Sequence, residues 1–203
     1  MPRSGDEARR RLRQATLELF AERGYEATTT AEIAARAGVT ERTFFRHFPD
    51  KREALFDGEE AFRDALRDAV LAAPQDLGPM DALLVAFRSV QGVLEANRAF
   101  SEPRAAVIAQ TPALRERVLT KTAGLVDALS GALRRRGVEE AVASLAAQVG
   151  MAAFSHAANA WFHDPKTGLD EHLTHAFEAL QGLAAPRAGR PDLRQVEPEA
   201  HSG

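Results

Sequence analysis

Residues 40–51 place charged and aromatic side chains at close spacing, with Arg42 and Arg46 four residues apart and Phe45 between them. A guanidinium can donate two hydrogen bonds to O6 and N7 of guanine, so an arginine on an exposed helix face can read a base pair in the DNA major groove. We therefore predict that Arg42 reads a base. Arg46 could either read a base or bind a backbone phosphate.

Three polar residues flank this segment where the DNA backbone would pass. Thr29 and Thr40 lie at the predicted N-termini of two short helices, and Lys51 lies at the start of the next helix. Backbone N–H groups at a helix N-terminus and lysine cations both favour phosphate. We predict phosphate contacts at these three positions.

Two short helices joined by a glycine turn would position these side chains. Thr29 and Glu32 have the spacing of a capping box, and Thr40 can cap a second helix through about His47. Gly38, between the two helices, permits the positive φ of a tight turn. The apolar residues expected to face inward are Ile33, Ala37, Val39, Phe44 and Phe48.

With those residues inward, Glu41, Arg42, Phe45 and Arg46 face outward on the second helix. This spacing is that of a helix-turn-helix, whose second helix enters the major groove. The alternative is an ordinary corner between two bundle helices, in which the arginines are only solvated.

Composition and charge limit the classes of function. The 203 residues carry a formal charge of −3, which excludes a protein that coats nucleic acid by bulk charge. Residues 1–55 nevertheless hold 11 Lys+Arg against 9 Asp+Glu, a net +2, and the remaining residues carry −5. The chain has no cysteine, which excludes disulfides, thiol catalysis and thiolate metal sites. We find neither a membrane-length apolar run nor a signal peptide, and we expect a cytoplasmic protein.

The rest of the chain is predicted to be helical, because alanine and arginine are strong helix formers and strand-like alternation is scarce. We predict an all-α fold, with an N-terminal three-helix domain over residues 1–55, a helical bundle over 56–185 and a disordered tail over 186–203. The helices outside the helix-turn-helix are predicted at about 6–23, 50–73, 80–98, 103–110, 112–136, 139–163 and 169–184.

Residues 24–51, GYEATTTAEIAARAGVTERTFFRHFPDK, resemble the signature of the TetR family of bacterial transcriptional regulators. The resemblance covers about residues 9–56 and includes the Phe-Pro-x-Lys ending. It implies an all-helical homodimer with an N-terminal DNA-binding domain and a C-terminal ligand-binding and dimerisation domain. The dimer would form through the helices at 139–163 and 169–184 as a four-helix bundle. Residues 43–46 and 111–115 are similar to an actinobacterial branch of the family.

Two residues depart from the family pattern. Phe45 stands where many members carry a phosphate-binding tyrosine, so we expect its ring to pack against sugar or a thymine methyl group. Thr30 stands where valine is usual, which should weaken the core slightly.

His47 falls on a position that often touches phosphate, and a packed histidine is the alternative. The predicted DNA-contacting residues are Thr29, Thr40, Glu41, Arg42, Thr43, Phe45, Arg46, His47 and Lys51.

The C-terminal helices carry polar and aromatic residues that could line an effector cavity. The candidates are Phe87, Gln91, Phe100, Phe154, Ser155 and Asn159. Each has an alternative interpretation as a core or dimer-interface residue. His172 and His175 lie one helical turn apart, but zinc needs three or four convergent ligands, and we predict no metal and no cofactor.

Together these features predict a ligand-responsive repressor that binds a pseudo-palindromic DNA operator as a dimer. A small hydrophobic or amphipathic effector would release it. One alternative is a helical sensor that keeps the motif only as fold. Another is an enzyme on a helical bundle, but we find no glycine-rich phosphate loop, nucleophile elbow or His-Glu-x-x-His pattern.

Overall fold

A computed structural model of the chain describes residues 4–164 and 166–184 and confirms the all-helical prediction within those ranges. The predicted tail at 186–203 lies outside them. The helices are α1 (Ser4–Arg23), α2 (Thr30–Arg36), α3 (Glu41–His47), a short 3-10 helix (Glu53–Phe56), α4 (Glu59–Ala72), α5 (Pro79–Ser89), α6 (Gln91–Ala96), α7 (Arg98–Gln110), α8 (Pro112–Arg135), α9 (Glu140–His163) and α10 (Leu169–Ala184).

The N-terminal core forms where α1, α2 and α3 meet the 3-10 helix. Of the residues predicted to face inward, Ile33, Ala37, Phe44 and Phe48 are buried and Val39 is half-buried. This core also takes Val107 from α7 and Leu114 from α8. Helices α2 and α3 therefore share their core with helices from the rest of the chain.

The prediction of one long helix over 50–73 is wrong. The Asp50 carboxylate accepts hydrogen bonds from the backbone N–H groups of Arg52 and Glu53, which forms a local turn before the 3-10 helix. Leu55 of the 3-10 helix is buried in the N-terminal core. Gly58 then adopts φ 87°, and α4 starts at the next residue, Glu59. Only glycine reaches this left-handed backbone region without strain, so Gly58 marks the break.

The predicted helix over 80–98 is likewise divided. The structure has α5 and α6 on either side of Val90, whose side chain is buried. Helix α7 instead begins at Arg98 and continues through Pro103, which was expected to interrupt near the helix start.

The C-terminal core lies between α4, α5, α8, α9 and α10. Its centre holds Phe87 of α5 and Phe154 of α9, whose rings stack with centroids 4.7 Å apart. Helix α9 can approach α5 closely because a Cβ added at Gly150 would lie 2.8 Å from Leu83 Cδ1. Small residues on α9 thus serve close helix packing.

Helix α9 is also long and apolar enough to cross a membrane, with a mean hydropathy of 1.3 over its most apolar window. This finding qualifies the prediction from the sequence that the chain has no apolar run of membrane-spanning length. Met151, Phe154 and Trp161 of this helix are buried in the C-terminal core, which is the arrangement of a core helix in a globular domain.

Candidate DNA-binding surface

Helix α3 is held at both ends and along its inner face. The Thr40 hydroxyl accepts a hydrogen bond from the N–H of Thr43 at 3.2 Å and caps the helix start. Phe44 is fully buried, and Phe48 follows the helix end at 2% exposure. The opposite face carries Phe45 at 53% exposure, together with the exposed side chains of its neighbours. A fixed helix with one open face is what major-groove reading requires.

Arg42 and Arg46 are exposed and form no hydrogen bond or ion pair with any described residue. The other arginines described in α1 and α2 are all engaged with carboxylates: Arg9 and Arg13 with Asp57, Arg10 and Arg11 with Glu7, Arg23 with Glu32, and Arg36 with Glu18 and Glu22. An unpaired guanidinium offers all of its donors to an incoming acceptor. We call the outward side chains of Arg42, Phe45 and Arg46 the recognition face.

The predicted capping box at the start of α2 is confirmed. The Thr29 hydroxyl accepts from the Glu32 N–H at 3.2 Å, and the Glu32 carboxylate accepts from the Thr29 N–H at 2.9 Å. The hydrogen bonds from Thr29 lower the pKa of Glu32, so the carboxylate stays ionised. Thr29 therefore stabilises the helix on which α3 packs.

Lys51 has a structural role that the sequence reasoning missed. Its Nζ donates to the carbonyl oxygens of Tyr25 at 2.7 Å and Thr28 at 2.9 Å, and it lies 4.2 Å from the centroid of the Tyr25 ring. It also precedes the 3-10 helix by two residues and does not start a helix. Lys51 thus fixes the loop before α2, and its third proton is left for an external acceptor.

His47 is half-buried at the end of α3. Its Nε2 atom is buried and has no hydrogen-bond partner among the described residues. Burial and the positive charges of Arg46 and Arg9 lower the pKa of the imidazole. A neutral, partly packed ring fits the packed alternative better than a phosphate contact through Nε2.

Thr30 forms a contact that no local pattern indicates. Its hydroxyl donates to Oε1 of Glu41 at 2.5 Å, so the first residue of α2 holds the first residue of α3. The expectation that Thr30 only weakens the core missed this bond. Thr30 and Glu41 are eleven positions apart in two different helices, so helical periodicity could not predict this hydrogen bond.

The six predicted effector residues do not line one cavity. Phe87 and Phe154 stack in the C-terminal core, whereas Phe100 packs against the N-terminal core beneath the guanidinium of Arg13. The Gln91 amide donates to Glu95 one turn along the same helix. Two further candidates, Ser155 and Asn159, are exposed on α9.

Charged residues connect the N-terminal helices to α7 and α8. Arg104 of α7 donates through Nε to the Leu55 carbonyl at 2.6 Å and through Nη2 to Glu59 at 2.8 Å. Arg117 and Lys121 of α8 bind Glu53 through one carboxylate oxygen each. We define the interdomain cluster as Glu53, Glu59, Arg104, Arg117 and Lys121.

Burial dominates the electrostatics of this cluster. It raises the pKa of Glu59, although the charges of Arg104 and Lys121 oppose the shift. It also lowers the pKa of Arg104. Both shifts disfavour the charged forms, so desolvation outweighs the attraction between the two groups.

A capped recognition helix on a three-helix N-terminal unit, joined to a larger helical core, defines a helix-turn-helix DNA-binding protein. Residues 12–57 match the bacterial regulatory proteins of the tetR family, and residues 77–184 match the MftR C-terminal domain. The chain therefore belongs to the TetR family of bacterial transcriptional regulators and carries an MftR-type C-terminal domain. Members of this family are DNA-binding regulators and not enzymes; they act as dimers with small-molecule effectors.

Three relatives illustrate the similarity. The chain is 27% identical to the transcriptional regulator MftR of Mycobacterium tuberculosis over 89% of this chain and 96% of that protein. It is 40% identical to the regulator TcmR of Streptomyces glaucescens over 84 residues, which span 41% of this chain and 37% of TcmR. The crystal structure of the repressor FadR of Thermus thermophilus with lauroyl-CoA matches at a TM-score of 0.56 and 25% identity, covering 91% of this chain and 99% of that chain.

Proposed function

We propose that the chain is a ligand-responsive repressor that binds a pseudo-palindromic operator as a dimer and is released by a small hydrophobic or amphipathic effector. The observation that carries this proposal is the recognition face, where Arg42 and Arg46 are exposed and unpaired among the described residues. Two such faces on a two-fold dimer would enter successive major grooves on one side of the duplex. The similarity to regulators of this family supports a cytoplasmic location.

The proposed DNA contacts divide into base reading and backbone binding. Arg42 reads guanine, and Arg46 reads a base or binds phosphate. Phe45 packs against sugar or a thymine methyl group, because its exposed ring has no hydroxyl to donate. The backbone contacts are assigned to Thr29, Thr40, Thr43 and Lys51, and His47 is left as a packed residue at the end of α3.

Dimerisation is proposed through α9 and α10. Val142 and Leu145 of α9 are 48% and 63% exposed, and Leu183 of α10 is 74% exposed. Helices α9 and α10 pack against each other, and exposed apolar side chains on such a helix pair favour association with a second subunit. Ser155 and Asn159 are exposed on α9 as well, which favours an interface role for them over a cavity role.

The effector site is proposed around the stacked rings of Phe87 and Phe154, which Phe62 and Phe177 flank at centroid distances of 6.2 Å and 6.1 Å. An apolar effector would have to displace these rings, and binding would favour a second conformation of the C-terminal domain. The lauroyl-CoA bound to the similar FadR structure supports an amphipathic, acyl-type ligand.

A footprint of the full-length protein on the DNA upstream of its own gene tests this function. We expect a two-fold symmetric protected site whose affinity falls steeply with salt, and loss of protection on adding lauroyl-CoA or another ligand from a drug-like panel. A protein with no salt-sensitive preference for any DNA, but with ligand binding intact, would support the helical sensor instead.

A further inference from the structure

Glu41 is an acidic side chain on a surface that otherwise suits DNA. It is exposed at the first position of α3, next to Arg42. Its Oε1 atom accepts a hydrogen bond from the hydroxyl of Thr30. No described residue bonds its second oxygen. The carboxylate therefore keeps acceptor capacity towards the solvent.

The residues next to Glu41 line two shallow depressions on the surface of the recognition face. Its partner Thr30 lines a shallow depression with Lys51 and Phe45. Phe45 and Arg42 line the adjoining depression. Side chains four positions apart lie on the same helix face, so Glu41 aligns with Phe45 as Arg42 aligns with Arg46.

A carboxylate repels phosphate, so Glu41 gains from the complex only by meeting a hydrogen-bond donor. In the major groove cytosine presents only its N4 amino donor, whereas adenine presents its N6 donor beside the N7 acceptor, and guanine presents two acceptors. A side chain that only accepts hydrogen bonds thus discriminates in favour of cytosine. The Thr30 bond limits the rotamers of Glu41 and reduces the entropy lost on contact.

We propose that Glu41, held by Thr30, is a specificity-determining residue that accepts a hydrogen bond from cytosine N4 in each operator half-site. This inference rests on the proposed DNA-binding function and adds a second base contact to that of Arg42. The competing explanation is that Glu41 only stabilises the start of α3 and ties it to α2.

Selection of bound duplexes from a pool with a randomised 20-base-pair region (about two half-sites one helical turn apart) tests the assignment, using the full-length chain. The wild type should enrich a half-site with a required cytosine close to the guanine that Arg42 reads. Glu41→Gln should change that requirement to adenine, because glutamine pairs with adenine N6 and N7. Glu41→Ala should lose discrimination at that position by about tenfold, which corresponds to roughly 1.4 kcal/mol.

Two further variants separate base reading from charge and from folding. Glu26→Gln removes another exposed carboxylate on the same surface and should tighten all duplexes alike, without changing the preferred sequence. Thr30→Val keeps the shape of the side chain but removes the hydroxyl that holds Glu41. The preference for cytosine should therefore weaken, and no other base should be preferred instead. Circular dichroism melting checks that each variant remains folded.

Several outcomes would overturn the assignment. A wild-type half-site without a required cytosine, or a Glu41→Gln variant that selects the wild-type sequence, leaves Glu41 with the structural role alone. A Thr30→Val variant with unchanged discrimination removes the positioning role of Thr30. If the wild type enriches no sequence at all, the proposed DNA-binding function fails as well, and this result is distinct from the others.

Discussion

On α3, Arg42 and Arg46 are exposed and bond to no described residue, whereas Arg104 of the interdomain cluster has a side-chain exposure of 24% and binds both a carbonyl and a carboxylate. The first arrangement leaves guanidinium donors open to a ligand from outside. The second directs Nε and Nη2 of the guanidinium to acceptors within the chain. The same residue type is thus proposed to read DNA in one region and joins two parts of the chain in the other, and the difference is whether an acceptor is already present.

The two regions also differ in what their charges contribute to stability. An exposed arginine keeps its hydration, so an unpaired one costs the fold little. At the interdomain cluster, burial disfavours the charged forms of both Glu59 and Arg104. A partly buried ion pair of this kind is poor evidence for net stability, and its role is to fix geometry. Here the geometry is the position of α4 and the 3-10 helix against α7, because Arg104 of α7 binds Glu59 of α4 and the Leu55 carbonyl of the 3-10 helix.

The largest expected effect comes from breaking the interdomain cluster at Arg104. Arg104→Met leaves the Leu55 carbonyl and the Glu59 carboxylate without their main donor and should lower the free energy of unfolding by about 3 kcal/mol. Urea unfolding at neutral pH measures it. Arg115→Met is the matched control, because Arg115 is exposed and bonds to no described residue; it should stay within about 0.5 kcal/mol of the wild type.

Replacing both partners sharpens this prediction. Arg104→Met with Glu59→Leu removes both partly buried charges and should recover most of the stability that the single variant loses. Equal losses in the single and double variants would mean that the pair contributes stability through packing and not through charge compensation.

The next effect in size is at the recognition face. Arg42→Ala should weaken binding to the footprinted operator by about 1–3 kcal/mol and leave unfolding unchanged. Arg135→Ala controls for net charge. Arg135 lies at the end of α8, is also exposed and bonds to no described residue. Titration of labelled operator by fluorescence anisotropy gives both affinities. Equal affinities for the two variants would exclude Arg42 from the interface.

Lys51 combines the features of the interdomain cluster and of the recognition face. Its ammonium group donates to two carbonyls of the chain and has a third N–H donor for an external acceptor. Lys51→Met should weaken binding to all duplexes alike and reduce the salt dependence by about one phosphate contact. It should also lower the melting temperature, because the Tyr25 and Thr28 carbonyls lose their donor. A lower melting temperature with an unchanged salt slope would leave Lys51 as a loop-fixing residue only.

The smallest effect is a pH dependence at Glu59. Burial raises its pKa above the ordinary value of 4.5, so the protonated acid is favoured in the folded state. Its contribution to stability is full below the unfolded pKa and is lost as the pH rises through the folded pKa. Glu59→Gln should therefore match the wild type in acid and become relatively more stable as the pH rises. Parallel stability curves across that range would contradict a raised pKa.

The sequence predicted those features of the fold that depend on residues close together in the chain. The boundaries of α2 and α3 follow from Thr29, Glu32 and Thr40, each of which bonds within three residues of itself. The burial of Phe44 follows from helical periodicity. These signals suffice for the fold class and for which side chains of α3 face outward.

Features that depend on tertiary contact were not predicted. Arg104 and Glu59 are 45 residues apart, and Arg117 and Glu53 are 64 apart, so no pattern within a helix encodes their pairing. The break at Gly58 follows from burial of the 3-10 helix in a core completed by α7 and α8. For the same reason the sequence could not predict that Phe100 packs against the N-terminal core, whereas Phe87 and Phe154 lie in the C-terminal core.

The most direct test of the central claim, that an unpaired arginine of α3 reads the operator, combines a protein change with a DNA change. Wild type and Arg42→Ala are each titrated with the footprinted duplex and with a duplex in which the guanine assigned to Arg42 is replaced. The wild type should lose about tenfold in affinity on the altered duplex, whereas Arg42→Ala should bind both duplexes equally. An Arg42→Ala variant that discriminates between the two duplexes as well as the wild type does would contradict the account.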